Sequence, residues 1–187
     1  MKNFKSIILV CVLVWVSTGA IAQTKYFTRD GSISFFSKAA LEDFEAVNRK
    51  VTCVVDAATG QMEFSMLIRS FEFEKELMKE HFNENYMESE KFPKSTFKGM
   101  IENASTIKWS VDGSYPVKVT GKMTIHGVTK DVVAAGSFMV KGGKVTGRSE
   151  FMVALADYGI KVEKAYASKI AEKIKVTVDV NLEPMTK

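Results

Sequence analysis

From about residue 31 to residue 182, apolar and polar side chains alternate one for one along most of the chain. That is the period of a β-strand with one buried face. Ile33, Phe35 and Ser37 alternate with Ser32, Ser34 and Phe36, and Val51, Cys53 and Val55 form one face of the next run. Met62, Phe64, Met66 and Ile68 follow after an Ala58-Thr59-Gly60 turn, then Phe97, Gly99 and Ile101. Val117, Val119, Gly121, Met123 and Ile125 share a face, and after His126-Gly127 comes a less regular run, Lys130 to Val140. Gly142-Gly143 marks a tight turn. Val145, Gly147, Ser149, Phe151, Val153 and Leu155 follow it, and Ile174, Val176, Val178, Val180 and Leu182 close the series. The pattern predicts eight strands, near 31–37, 48–57, 61–70, 95–103, 117–126, 128–140, 144–155 and 173–182.

Two segments break the alternation. Over Glu74–Ser89, Leu77, Met78, His81, Phe82, Asn85 and Tyr86 recur at helical spacing, with Glu76, Lys79, Glu80 and Glu84 opposite, which predicts a helix. Glu163 to Lys173 is a shorter helix candidate. Eight antiparallel strands must bury their apolar face, and a closed barrel does so while abolishing exposed edges. A sandwich would also bury that face, but the strands are long and hairpin-connected, so the expected fold is all-β: an eight-stranded antiparallel barrel with one or two short helices. Such an interior is either filled by side chains or holds one small ligand.

The amino terminus adds an address. Lys2 and Lys5 precede an uncharged run from Ile7 to Val16, and Ala20-Ile21-Ala22 is a small-residue cleavage pattern. This is the layout of a signal peptide, and the run is well short of the ~20 residues of a spanning helix. The expected division is 1–22 signal peptide and 23–187 a single barrel domain, exported and, by the resemblance below, lipid-binding and periplasmic. Cleavage would lower the net charge from +4 by the two lysines. No basic stripe remains to suggest nucleic acid. Cys53 alone would survive cleavage, in phase with Val51 and Val55, so it reads as a small buried hydrophobe rather than half of a disulfide.

Candidate chemistry is sparse. His126 adjoins Gly127 between two strand runs and shares the parity of Lys122 and Thr124, the solvent-facing set. It reads as a hairpin-turn residue, since no acid or nucleophile stands nearby in sequence to make it a general base. His81 lies on the apolar face of the predicted helix, where packing is the usual role. Glu84 and Asn85 beside it do not make a zinc motif. Asn103-Ala104-Ser105 matches a glycosylation sequon. Gly99, Gly121 and Gly147 sit at inward parity, where glycine relieves crowding in a curved sheet or leaves room for a guest. Phe35, Phe64, Met66, Phe97, Met123 and Phe151 would all face inward. Core packing explains them, and an apolar wall for a flexible hydrocarbon would look the same.

Several ordered stretches resemble the YceI-like family of exported, lipocalin-like, polyisoprenoid-binding proteins. They are Gly31-Ser32-Ile33-Ser34-Phe35, Phe64-Ser65-Met66, the run Asn85 to Phe97, Val119-Thr120-Gly121-Lys122-Met123-Thr124-Ile125-His126-Gly127-Val128-Thr129-Lys130, and Phe151-Met152-Val153 before Ala156-Asp157-Tyr158-Gly159-Ile160. The resemblance spans about 27–183. It implies an extended barrel with an elongated apolar cavity, a helix beside it, no cofactor and no metal. Many relatives carry a histidine shortly after the first strand, where this chain has Ser37-Lys38-Ala39, so a ligand contact there has no counterpart.

Two readings follow. In the first, the barrel binds or carries a long-chain apolar lipid such as a polyisoprenoid, a quinone or a fatty-acyl chain. Phe35, Phe64, Met66, Phe97, Met123 and Phe151 form the wall, with Met78, Phe82 and Tyr86 closing one end. No catalysis and no nucleic-acid partner are expected, no membrane span remains after cleavage, and a homodimer stays open. In the second, His81 and His126 converge with an acid such as Asp157 in a lipid-modifying enzyme. A filled barrel acting through its surface is the further alternative.

Overall fold

The computed structural model describes residues 25–185; the expected signal peptide lies outside them. The strands are β1 (Lys25–Lys38), β2 (Asp43–Asp56), β3 (Gln61–Leu67), β4 (Phe71–Phe73), β5 (Lys94–Ile101), β6 (Gly113–Ile125), β7 (Val128–Lys141), β8 (Lys144–Ala154) and β9 (Lys173–Pro184). They form one antiparallel sheet in the order β1-β9-β8-β7-β6-β5-β3-β2-β4, and β1 also pairs with β2. That last pairing closes the sheet into an eight-stranded barrel, as the alternation predicts.

The predicted strand 61–70 is interrupted. A single 3-10 turn, Ile68–Ser70, separates β3 from β4, and both pair with β2. Asn48 sits opposite the break, fully buried, donating its side-chain N–H to the Leu67 carbonyl and accepting from Lys50 N–H, so the interrupted ladder leaves its amide satisfied. The inward phases hold throughout: Val51, Cys53 and Val55 are fully buried, as are nearly all of Ile101, Val140, Val145 and Leu182. Burial holds the Cys53 thiol protonated, with its pKa pushed up to about 12.

The helix Glu74–Ser89 is shorter and less regular than its spacing predicts. An α-helix, α1, covers Glu76–His81 and then widens into a π turn, Phe82–Tyr86. The wider turn breaks the 3.6-residue period, so Leu77 is left 61% exposed while Phe82 swings onto Phe35, Phe71 and Phe73 with ring centroids 5.1–5.5 Å apart. The second candidate, Glu163–Lys173, is not an α-helix: one 3-10 turn, Lys164–Tyr166, begins an irregular loop. Ser37 anchors this loop, accepting from Ala171 N–H at 3.0 Å from a fully buried position. Among the described residues no helix is long and apolar enough to cross a membrane.

The barrel has two unlike ends. At the plug end the β5–β6 connection folds inward: Trp109 stacks on Tyr26 at 4.9 Å and meets Phe138 at 5.2 Å, with Ile107 buried beside them. At the helix end lie α1, the β6–β7 turn and the 3-10 turn Leu155–Tyr158 that follows β8. There Ile68, Met87, Val153, Tyr158 and Ile160 form a second, smaller core.

Candidate functional site

Between the two cores the lumen is hollow. The cavity measures about 500 Å³, within the ~300–1,000 Å³ range of small-molecule pockets. Seven of the nine residues expected at the site line it: Phe35, Phe64, Met66, Phe97, Met123 and Phe151 from the strands, and Phe82 from the π turn. Met78 and Tyr86 do not. Tyr86 packs instead against the smaller core, because the π turn that aims Phe82 inward rotates its successors away. Sequence reasoning missed Ile68 and Met87, which help close the helix end. Ile68 ends the alternating face Met62–Ile68 at the β3–β4 break, and Met87 falls just after the π turn, where no period carries over.

The inward glycines do not leave space for a guest. Gly99 and Gly121 pair directly across β5 and β6, and a methyl group on either would run into backbone carbonyls and the Phe97 ring. At Gly147 the neighbours are Phe138 and Val180. Here the glycines let strands and rings approach closely, and the cavity lies beyond the rings they admit.

His126 is a turn residue, as expected. It and Gly127 both adopt left-handed φ, 49° and 74°, in the two-residue connection between Ile125 and Val128, the backbone of a primed hairpin turn. Its side chain, however, is not solvent-facing as its parity suggests: 13% is exposed. Left-handed φ redirects it out of the strand's alternation. Its Nε2 lies 2.8 Å from Glu88 Oε2, its Nδ1 lies 3.2 Å from the Tyr158 carbonyl, and the Phe92 ring meets it edge-on at 4.8 Å. Glu88 also has positive φ, 42°. The imidazole therefore ties three segments of the helix end together.

The enzyme geometry does not assemble. Neither His81 nor His126 lines the cavity, and His126 takes Glu88 rather than Asp157 as its acid. Asp157 is exposed at the cavity rim, where its carboxylate, after burial itself, holds the Tyr158 phenol above its ordinary pKa. Among the described residues no group of three or more His, Cys, Asp or Glu side chains is arranged to hold a metal ion. The sequon asparagine is engaged structurally: Asn103 donates to the Pro116 carbonyl and accepts from Lys118 N–H, pinning the plug loop.

An apolar cavity in an eight-stranded barrel, beside a helix and an Ile-His-Gly-Val turn, is the arrangement the resemblance implies. The YceI-like domain family matches residues 23–182. The chain belongs to the YceI-like family. Three solved structures share its fold. A polyisoprenoid binding domain from Saccharophagus degradans is 11% identical, with a TM-score of 0.76 over 87% of this chain and 99% of that one. BcnA of Burkholderia cenocepacia is 17% identical, with a TM-score of 0.68 over 82% and 96%. The YceI protein of Campylobacter jejuni is 17% identical, with a TM-score of 0.56 over 76% and 85%. No curated protein matches the chain in sequence.

Proposed function

We propose that this YceI-like barrel is a container that holds one apolar lipid chain, of isoprenoid, quinone or fatty-acyl type, in its lumen. The observation that carries the reading is the wall: a cavity of about 500 Å³ faced by Phe35, Phe64, Met66, Phe82, Phe97, Met123 and Phe151. Each methylene moved from water into such a wall contributes about 0.8 kcal/mol, so a chain is held without polar chemistry. Membership of the family and the likeness to a polyisoprenoid binding domain support the same reading. A filled barrel would lack the cavity, and the His81–His126 enzyme would bring those histidines to it. The leader at 1–22 fits export to a periplasm, with residues 23–187 as the working domain.

The test is native mass spectrometry of protein purified from a bacterial envelope without detergent, alongside organic extraction and uptake of added all-trans-retinol. A bound mass that extracts as a long-chain lipid, or saturable retinol uptake, is expected, and both should be lost in folded Met66→Lys. A folded wild-type protein that is empty and takes up no retinol would overturn the reading.

A further inference from the structure

The cavity is closed at both ends of the barrel, by the Trp109 plug and by the smaller core, yet it is open to solvent. Six of its lining residues are exposed: Lys130, Asp131, Val133, Arg148, Met152 and Asp157. All six lie on β7, on β8 or in the turn after β8. The pairing explains why. The β7–β8 ladder runs from Lys141↔Lys144 and stops at Gly136↔Ser149, although β7 continues back to Val128 and β8 onward to Ala154. Over that stretch β7 stays with β6 and β8 stays with β9. The wall is slit between them.

Both ends of the slit are built. At the ladder end the Ser149 hydroxyl donates to the Ala135 carbonyl at 2.6 Å, capping an acceptor just past the last pair. A side chain at Gly136 would strike the Arg148 carbonyl, so glycine permits the close approach there. At the other end the turn Leu155–Tyr158 packs in the smaller core with Val128 and holds the strands apart. Each lip carries one exposed apolar side chain among its charges: Val133 is 64% exposed and Met152 57%, both on the outward parity of their strands. Two of the four rim charges are paired, Asp131 with Lys122 and Arg148 with Asp179.

We infer that the slit between β7 and β8 is the mouth of the cavity, through which an apolar chain enters and leaves sideways, past Val133 and Met152, rather than along the barrel axis. The inference rests on the container reading above and says where the container opens. Unpaired strand edges tolerate such passage because they have no ladder to break, whereas passage at either end requires unpacking a core.

The experiment attaches a bulky maleimide to single cysteines introduced at exposed, outward-facing positions, so that the inner wall is untouched. Cys53 is fully buried and does not compete. Three sites are compared by stopped-flow uptake and release of all-trans-retinol. Val133→Cys lies on the slit, Met139→Cys lies on the paired part of β7, and Leu77→Cys lies on α1 at the helix end. Labelling Val133→Cys is expected to slow both uptake and release, by roughly tenfold. Labels at Met139→Cys and Leu77→Cys should leave both rates unaltered. A disulfide between Ala135→Cys and Glu150→Cys, one step beyond the last ladder pair, should reproduce the slowing and release it on reduction. Retinol uptake that is unaffected by both slit modifications, or slowed by the Leu77→Cys label instead, overturns the lateral mouth while leaving the container intact. No uptake by wild type would overturn the container, and the mouth with it.

Discussion

At the plug end of the barrel, Tyr26, Trp109 and Phe138 stack across the lumen; toward the helix end, short of the smaller core, Phe35, Phe64 and Phe97 stand around a void of about 500 Å³. Both ends are lined by alternating inward residues of the same strands, so strand composition alone does not make one end solid and the other hollow. The difference lies in what enters from outside the sheet. The plug loop inserts a whole indole into the lumen. The helix inserts one ring, Phe82, which packs on Phe35, Phe71 and Phe73. Stability is therefore expected to reside at the plug end and binding at the helix end.

The sharpest way to break that division is to truncate one aromatic or thioether side chain in each region. Tyr26, 7% exposed, stacks on Trp109 and does not line the cavity, and Tyr26→Ala should cost about 4 kcal/mol in urea unfolding. The retinol affinity of the protein that remains folded should change little. Met66→Ala faces the void, so it should cost no more than about 2 kcal/mol, because fewer packing contacts are lost there, and it should weaken retinol binding. Equal costs at the two positions would mean the helix end is as tightly packed as the plug.

The closure at the helix end can be separated into backbone and side-chain parts at His126. His126→Ala loses the Glu88 and Tyr158 contacts and keeps a left-handed φ that an L residue adopts at a cost of about 1–2 kcal/mol. Histidine already bears that backbone cost, so it cancels, and the loss is that of the hydrogen bonds to a charged partner, ~1.5–3 kcal/mol. His126→Ala is thus expected to destabilise by about 2–3 kcal/mol, and His126→Gly by roughly 1 kcal/mol less, because glycine relieves the backbone. Equal destabilisation by the two variants, measured in the same urea series, would remove the backbone component. At the boundary between the two ends, Gly99→Ala should cost about 1–3 kcal/mol by overpacking. It should also lower retinol affinity as Phe97 is driven toward the void.

Much of this was legible in the alternation, and the exceptions share a cause. A period of two says which face a residue takes, and Phe35, Phe64, Met66, Phe97, Met123 and Phe151 face the lumen as it predicts. It says nothing about whether two neighbouring strands stay together. The slit between β7 and β8 left only a trace: the irregular run Lys130–Val140, with apolar Val133 at an outward position and Met152 likewise on β8. Nor does helical spacing foresee a π turn, which is why Phe82 reached the cavity and Met78 and Tyr86 did not. The Glu88–His126 contact joins residues 38 apart at two left-handed positions, and no local pattern pairs them.

The smallest effect tests the dryness of the filled region through its one buried thiol. Cys53 belongs to the main core, paired across the sheet with Thr28 and Phe64, and stays protonated in the folded protein to about pH 12. In the unfolded chain the same thiol ionises near its ordinary value of 9.0. Above that pH the folded state holds a proton the unfolded state has lost, so stability falls as pH rises from 9 toward 12. The limiting slope is about 1.4 kcal/mol per pH unit. Below pH 9 both states keep the proton and the group contributes no slope. Tyr26, Tyr86 and Tyr158 are also held above their ordinary 10.0 by burial first, so they add to the decline only above pH 10. Between pH 9 and 10 the decline should belong mainly to Cys53, and Cys53→Ala should flatten it while lowering the stability at pH 7. A slope that survives the substitution would mean that water reaches the thiol, and that the filled region is wetter than its packing implies.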